Sequence, residues 1–96
     1  MNLNYQTIIH ELARQKPLLN KLGVTKLGLF GSYARGEQQE RSDIDFVVEF
    51  EKSNFDSYME LKFFLEDTFQ KNIDLVISSN IKPLLKEDIL KGVLYV

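Results

Sequence analysis

Residues 31–48 read G-S-Y-A-R-G-E-Q-Q-E-R-S-D-I-D-F-V-V, and the fold of the rest of the chain is predicted around this stretch. An apolar run at 24–30 precedes it, and the run F-V-V-E-F at 46–50 ends it; both are typical of β-strands. A glycine-serine turn and a polar loop therefore join two predicted strands. Because residues two apart in a strand point to the same face, Asp43 and Asp45 are predicted to lie side by side.

The two carboxylates and the turn before them have complementary chemistry. Two carboxylates on one face repel each other, and one keeps its proton unless a cation lies between them. Oxygen ligands of this kind suit Mg²⁺, which usually takes one or two carboxylates together with substrate phosphates. Gly31 has no side chain to block a close approach, and Ser32 offers a hydroxyl and backbone N–H groups at a helix start, which bind anions. The stretch predicts a phosphate-binding turn facing a divalent-metal site.

Length and composition narrow the class of protein. The chain has 96 residues, which predicts a single domain over residues 1–96. The formal net charge is −2 without a basic stripe, which disfavours nucleic acid as the main partner. The absence of cysteine excludes disulfides and thiolate metal sites. With neither a signal-peptide pattern nor an apolar run of spanning length, we expect a cytoplasmic protein without membrane contact.

Apolar periodicity and punctuation by glycine and proline predict the secondary structure. Pro17 is expected to kink or break the first helix, and Ser53 or Asn54 to cap the third. The tail at 93–96 is either a short strand or an exposed contact patch. The pattern predicts an α/β fold with a small mixed sheet of about three strands packed with helices. The predicted elements are a helix at 5–22, a strand at 24–30, a short helix at 32–36, a strand at 43–50, a helix at 55–70, a strand at 73–77 and a helix from 81 to before Gly92.

A third acid, Asp74, is the only charged residue in the apolar segment 73–77. A charge inside a strand is costly unless it is paired or bound to a metal, so a third strand beside the second would add Asp74 to a carboxylate triad. Simpler interpretations remain open. Asp43 and Asp45 could form a solvated turn or a helix cap, and Asp74 could cap a neighbouring loop. Arg35 could contact phosphate or form a salt bridge, and it is left out of the predicted catalytic set.

These residues resemble the minimal nucleotidyltransferases of the DNA polymerase β-like superfamily. The resemblance rests on Gly31-Ser32-x-Ala34-Arg35-Gly36, on Ser42-Asp43-Ile44-Asp45 and on the isolated Asp74, and it covers nearly the whole chain. It implies that Asp43 and Asp45 hold two Mg²⁺ ions and that Asp74 completes the metal site and helps to take up the proton of the acceptor. It also implies that Gly31 and Ser32 hold the β and γ phosphates of ATP.

The resemblance also suggests an acceptor and a partner. The minimal members are similar to the antitoxin half of two-gene modules whose other half is a HEPN-domain ribonuclease toxin. The resemblance implies that AMP is transferred from ATP to a tyrosine of that toxin, which is encoded nearby. The chain is expected to form either a hetero-oligomer or a homodimer. Two alternatives stay open: an antitoxin that neutralises its partner by binding alone, and a nucleotidyltransferase acting on a small molecule such as an aminoglycoside.

Overall fold

A four-stranded sheet in the order β3-β2-β1-β4 organises the computed structural model, which describes residues 3–52 and 54–96. The strands are β1 (Val24–Phe30), β2 (Ile44–Phe50), β3 (Ile73–Ile77) and β4 (Leu94–Tyr95). The helices are α1 (Tyr5–Arg14), α2 (Lys16–Lys21), α3 (Gly31–Arg35), α4 (Phe55–Phe69) and α5 (Pro83–Leu90), and a single 3-10 turn covers Ser78–Asn80. Among the described residues, no helix combines the length and apolar character needed to cross a membrane.

The local signals in the sequence account for most element boundaries. The predicted helix at 5–22 is broken at Gln15 into α1 and α2, and Pro17 occupies the first turn of α2, where its missing N–H costs nothing. Asn54 caps α4 by accepting a hydrogen bond from the Ser57 N–H at 2.8 Å, whereas Ser53, the other predicted cap, lies outside the described residues. About three strands were predicted, with the C-terminal tail left open between a short strand and a contact patch; the tail forms β4, the fourth strand.

The sheet is mixed, and one of its faces carries the main core. β1 runs antiparallel to both β2 and β4, while β2 and β3 are parallel. Phe46 is fully buried on this face and stacks on Phe69 of α4 with ring centroids 6.2 Å apart. Burying a side chain of this size stabilises the fold by roughly 1.5 to 3 kcal/mol. Helix α4 therefore covers β2 on this face of the sheet.

The opposite face of the sheet, which we call the outer face, carries Asp45, Val47 and Asp74 by strand alternation. α4 connects β2 to β3 and α5 connects β3 to β4; both connections join parallel strands but run in opposite directions across the sheet. Right-handed crossovers in opposite directions lie on opposite faces, which places α5 over the outer face. In agreement, Val47 is only 2% exposed although it is not part of the main core cluster.

Candidate active site

The predicted site residues lie at one end of the strands, where β1 ends and β2 and β3 begin. Because β1 is antiparallel to β2, the C-terminal end of β1 lies beside the N-terminal end of β2. The register pairs Phe30 with Asp45 and Asp45 with Asp74. Gly31 and Ser32 follow Phe30 directly as the first residues of α3. The fold therefore brings the glycine-serine turn and two of the three predicted acids to adjacent positions.

Asp45 and Asp74 are lateral neighbours in the parallel ladder, close enough for a hydrogen bond between their carboxyl groups when one of them is protonated. Two carboxyl groups can share such a bond only if one of them carries a proton. In agreement, burial raises the pKa of Asp45 from 3.8 to about 6, with further contributions from the negative charges of Asp74 and Asp43. Asp43 itself is exposed and lies one residue before β2. The cluster thus holds excess negative charge at its centre.

A divalent cation fits the chemistry of these donors. Within residues 3–52 and 54–96, no three acidic, histidine or cysteine side chains are gathered into a ready-made metal site. The close pair is Asp45 with Asp74, and Asp43 is near enough for its charge to act on Asp45. All of the available donors are hard carboxylate oxygens, which Mg²⁺ prefers. A bound cation would offset the repulsion from Asp74 and Asp43, which adds to the effect of burial on the pKa of Asp45.

Gly31 is required by the position of the Asp45 carboxylate. Its φ of +74° lies in the left-handed region, and a Cβ added there would overlap Asp45 Oδ2 and lie 2.9 Å from Asp45 Cγ. Any other residue would therefore be strained and would also displace the acid. The sequence analysis predicted a small residue for the approach of phosphate. The structure adds a second reason, since the backbone of the turn packs directly against an acidic side chain.

The first turn of α3 offers backbone donors beside the acids. The N-cap residue is Phe30, in an extended conformation, and its hydrocarbon side chain cannot accept a hydrogen bond from the helix. Ser32 is half-buried, and its carbonyl accepts the Glu37 N–H at 2.9 Å, which closes the turn at Gly36. N–H groups at the start of a helix attract anions. Phosphate oxygens are therefore a suitable ligand for this turn.

Arg35 contributes to the electrostatics of the site, which the sequence analysis left undecided. Its guanidinium forms an exposed ion pair with Glu37, with Nε and Oε2 separated by 3.2 Å. Its positive charge also lowers the pKa of Asp45, opposing the two other acids. The salt-bridge alternative is therefore observed, together with an effect on Asp45. The available sequence signal was the spacing of four residues from Gly31, which places Arg35 one helical turn further along α3.

A polar cavity of about 500 Å³ opens beside Asp43. It lies between the loop before β2 and the connection from α4 to β3, and its lining includes the cationic side chains of Arg41 and Lys71. The Lys71 ammonium donates a hydrogen bond to the Glu40 carbonyl and so ties the two segments together. Tyr33 is 2% exposed and belongs to the main core. Of the three predicted acids, Asp43 lines this cavity, whereas Asp45 and Asp74 do not.

Comparison with known proteins gives consistent matches to the sequence and the fold of this chain. The model of the family described as nucleotidyltransferase domain matches residues 8–96. A Methanocaldococcus jannaschii protein, named as a candidate protein adenylyltransferase, is 45% identical over 84 residues, covering 85% of this chain and 90% of the relative. Protein adenylyltransferase MntA of Thermococcus cleftensis is 39% identical over 85 residues, covering 88% of this chain and 86% of the relative.

Solved structures share the architecture. A candidate minimal nucleotidyltransferase superposes with a TM-score of 0.83 at 29% identity, over 97% of this chain and 96% of that one. A complex of a tri-AMPylated Shewanella oneidensis HEPN toxin with an MNT antitoxin gives a TM-score of 0.65 at 20% identity, over 94% of this chain and 69% of that one. At that identity the second likeness shows the fold alone.

Proposed function

This chain belongs to the nucleotidyltransferase domain family, and from that premise we propose that it transfers AMP from ATP to a tyrosine of a HEPN-type ribonuclease toxin encoded nearby. Modification of the toxin makes the chain its antitoxin. The family membership establishes a nucleotidyltransferase; the nucleotide, the acceptor and the residues that act are the proposal. The observation that carries it is the register that sets Asp45 beside Asp74 with Gly31 packed on Asp45.

The reaction is a displacement at the α-phosphorus of ATP. The tyrosine oxygen forms a bond to that phosphorus, and the bond to the bridging oxygen breaks, so that pyrophosphate leaves with the bonding electron pair. In our assignment, Asp74 accepts the proton of the tyrosine hydroxyl. Asp74 is exposed on the outer face, and it can therefore reach an acceptor presented from solvent. The N–H groups of Gly31 and Ser32 bind the β and γ phosphates and stabilise the charge of the leaving pyrophosphate.

We assign the metal to the three acids of the cluster. Asp43, Asp45 and Asp74 would hold Mg²⁺, in the two-ion arrangement that the family resemblance implies. When bound, Mg²⁺ neutralises phosphate charge and lowers the pKa of the attacking hydroxyl. The raised pKa of Asp45 supports this assignment: burial is its largest cause, and the negative charges of Asp74 and Asp43 raise it further. Arg35 compensates only part of that charge.

The comparisons support the nucleotide and the partner to different degrees. Relatives at 39 and 45% identity bear names as protein adenylyltransferases, which supports AMP transfer to a protein. The HEPN partner is supported by the family resemblance and by the shared fold of a solved antitoxin bound to its HEPN toxin. We propose that residues 1–96 act as one domain and that the partner supplies the surface that holds the acceptor. Transfer to a small molecule has no comparable support.

Intact-mass spectrometry tests this function. The purified chain is incubated with ATP, Mg²⁺ and the HEPN-type protein encoded beside it, and we expect the partner to gain one or more AMP units. Asp45→Asn and Asp74→Asn should abolish the gain, whereas Asp67→Asn, an exposed acid on α4, should keep it. Tandem mass spectrometry then locates the modified residue. Neutralisation of the partner without any mass gain would refute transfer and support inhibition by binding alone.

A further inference from the structure

We propose that Leu84 and Leu85 of α5, which we call the leucine pair, form a docking surface for the protein that is adenylylated. The identity of the occupant rests on the proposed function; the surface itself rests on exposure and position. Leu84 is 93% exposed and Leu85 is 51% exposed. α5 has no buried residue along its eight positions, so its apolar side chains contribute little to the core of this chain. Adjacent exposed leucines on one helix are typical of a surface that another molecule covers.

The composition around the leucine pair resembles the anatomy of a protein interface. Lys86, Glu87 and Asp88 follow directly and are all exposed. An apolar centre with a charged, solvent-accessible rim is the usual arrangement of a protein–protein contact. A helix of eight residues is too short to be stable by itself, so it depends on what it packs against. Contact with a partner would bury the apolar side chains of α5 that the sheet leaves exposed.

The position of α5 indicates which partner fits. α5 crosses the outer face, and that face also carries Asp45 and Asp74. Lys86 and Glu49 line one surface cleft, which places the first half of α5 near the C-terminal ends of β2 and β3. A protein that presents a hydroxyl to Asp74 must lie over the outer face and will meet α5 there. A small acceptor bound at the acids would not extend so far.

The distances agree with a single protein interface. β3 has five residues, and at roughly 3.3 Å per residue it spans about 17 Å from the acids toward the segment that leads into α5. A standard interface covers about 800 Å² of each partner, which corresponds to a patch roughly 30 Å across. One protein partner can therefore contact the acidic cluster and the leucine pair together. This continuity favours the acceptor protein over an unrelated partner.

Steady-state kinetics on the doubly substituted chain Leu84→Ser/Leu85→Ser test the surface. The probe is the HEPN-type protein encoded beside this chain, and AMP transfer is followed as its concentration is varied. We expect KM for the protein to rise about 10-fold or more, while kcat and KM for ATP stay within about 2-fold of wild type. The matched control is Phe63→Ser, which changes a 59% exposed aromatic on α4, on the other side of the sheet. It should leave all three parameters unchanged.

Three outcomes separate this inference from the proposed function. If wild type transfers AMP and the double variant has an unchanged KM for the protein, the docking surface is refuted and the function stands. If wild type transfers nothing, the function fails, and calorimetric titration of the partner then decides: weaker binding by the double variant supports the surface, and equal binding refutes it. If the double substitution changes the oligomeric state of the chain alone, the leucine pair covers a second copy and the inference is wrong.

Discussion

Replacing Asp45 with asparagine is expected to stabilise the metal-free protein. In the folded chain the pKa of Asp45 is about 6, compared with 3.8 for an ordinary aspartate. The unfolded chain therefore ionises first as the pH rises, and the free energy of unfolding falls between about pH 4 and pH 6 and stays lower above it. At a pH above both values, this difference in pKa corresponds to a loss of about 3 kcal/mol in the free energy of unfolding. Because Asp45 is partly exposed, we reduce this to about 1 to 1.5 kcal/mol for solvent screening.

The assay is urea denaturation in the presence of EDTA at pH 8 and pH 5. Asp45→Asn should raise the free energy of unfolding by about 1 to 1.5 kcal/mol at pH 8 and by about half as much at pH 5, where the folded wild type already carries the proton. An asparagine amide can also donate a hydrogen bond to Asp74. Asp88→Asn is the control and should change little at either pH. A destabilised Asp45→Asn protein, or a gain independent of pH, would refute the electrostatic reasoning.

Three further changes probe the site and its support. Gly31→Ala should cost about 2 kcal/mol or more and abolish AMP transfer, whereas Gly36→Ala, with a φ of +71° and open space around it, should cost only about 1 kcal/mol; equal losses in urea would contradict the packing against Asp45. Tyr58→Phe removes the hydroxyl that donates to the Leu75 carbonyl at 2.7 Å and should cost about 1 kcal/mol by the same assay; an unchanged midpoint would show that this bond does not stabilise the edge of the sheet. A non-hydrolysable ATP analogue with Mg²⁺ at pH 8 should stabilise wild type by about 2.7 kcal/mol at 100 times its Kd but leave Asp45→Asn at its unliganded melting temperature; a shift of the same size in both would place the ligand elsewhere.

The strands and the polar turn could be predicted from local sequence because their signals are local. Apolar runs between polar or glycine-containing segments marked β1, β2 and β3 within one residue of their observed ends. The two-residue strand β4 was left open between two interpretations, because its pairing with β1 comes from tertiary contacts rather than from its own composition. The break at Gln15 is likewise a matter of packing, since Pro17 allowed either a kink or a break.

The residues of the site could be predicted from the sequence, but their spatial arrangement follows only from the register of the strands. Alternation along β2 predicts that Asp43 and Asp45 share a face, but only the pairing of β2 with β3 sets Asp74 beside Asp45. The overlap of a Gly31 side chain with Asp45 is a contact between segments, and no local pattern specifies it. Their roles in catalysis stay a prediction until the variants are measured.

The contact of Gly31 with Asp45 couples the two halves of the site mechanically. The backbone that would hold phosphate and the acid that would hold metal touch without an intervening side chain, so neither can shift without pushing on the other. A ligand that draws α3 closer must also reposition the carboxylate at the centre of β2. Triphosphate and cation are thus expected to bind cooperatively, because each improves the fit of the other through the contact between Gly31 and Asp45.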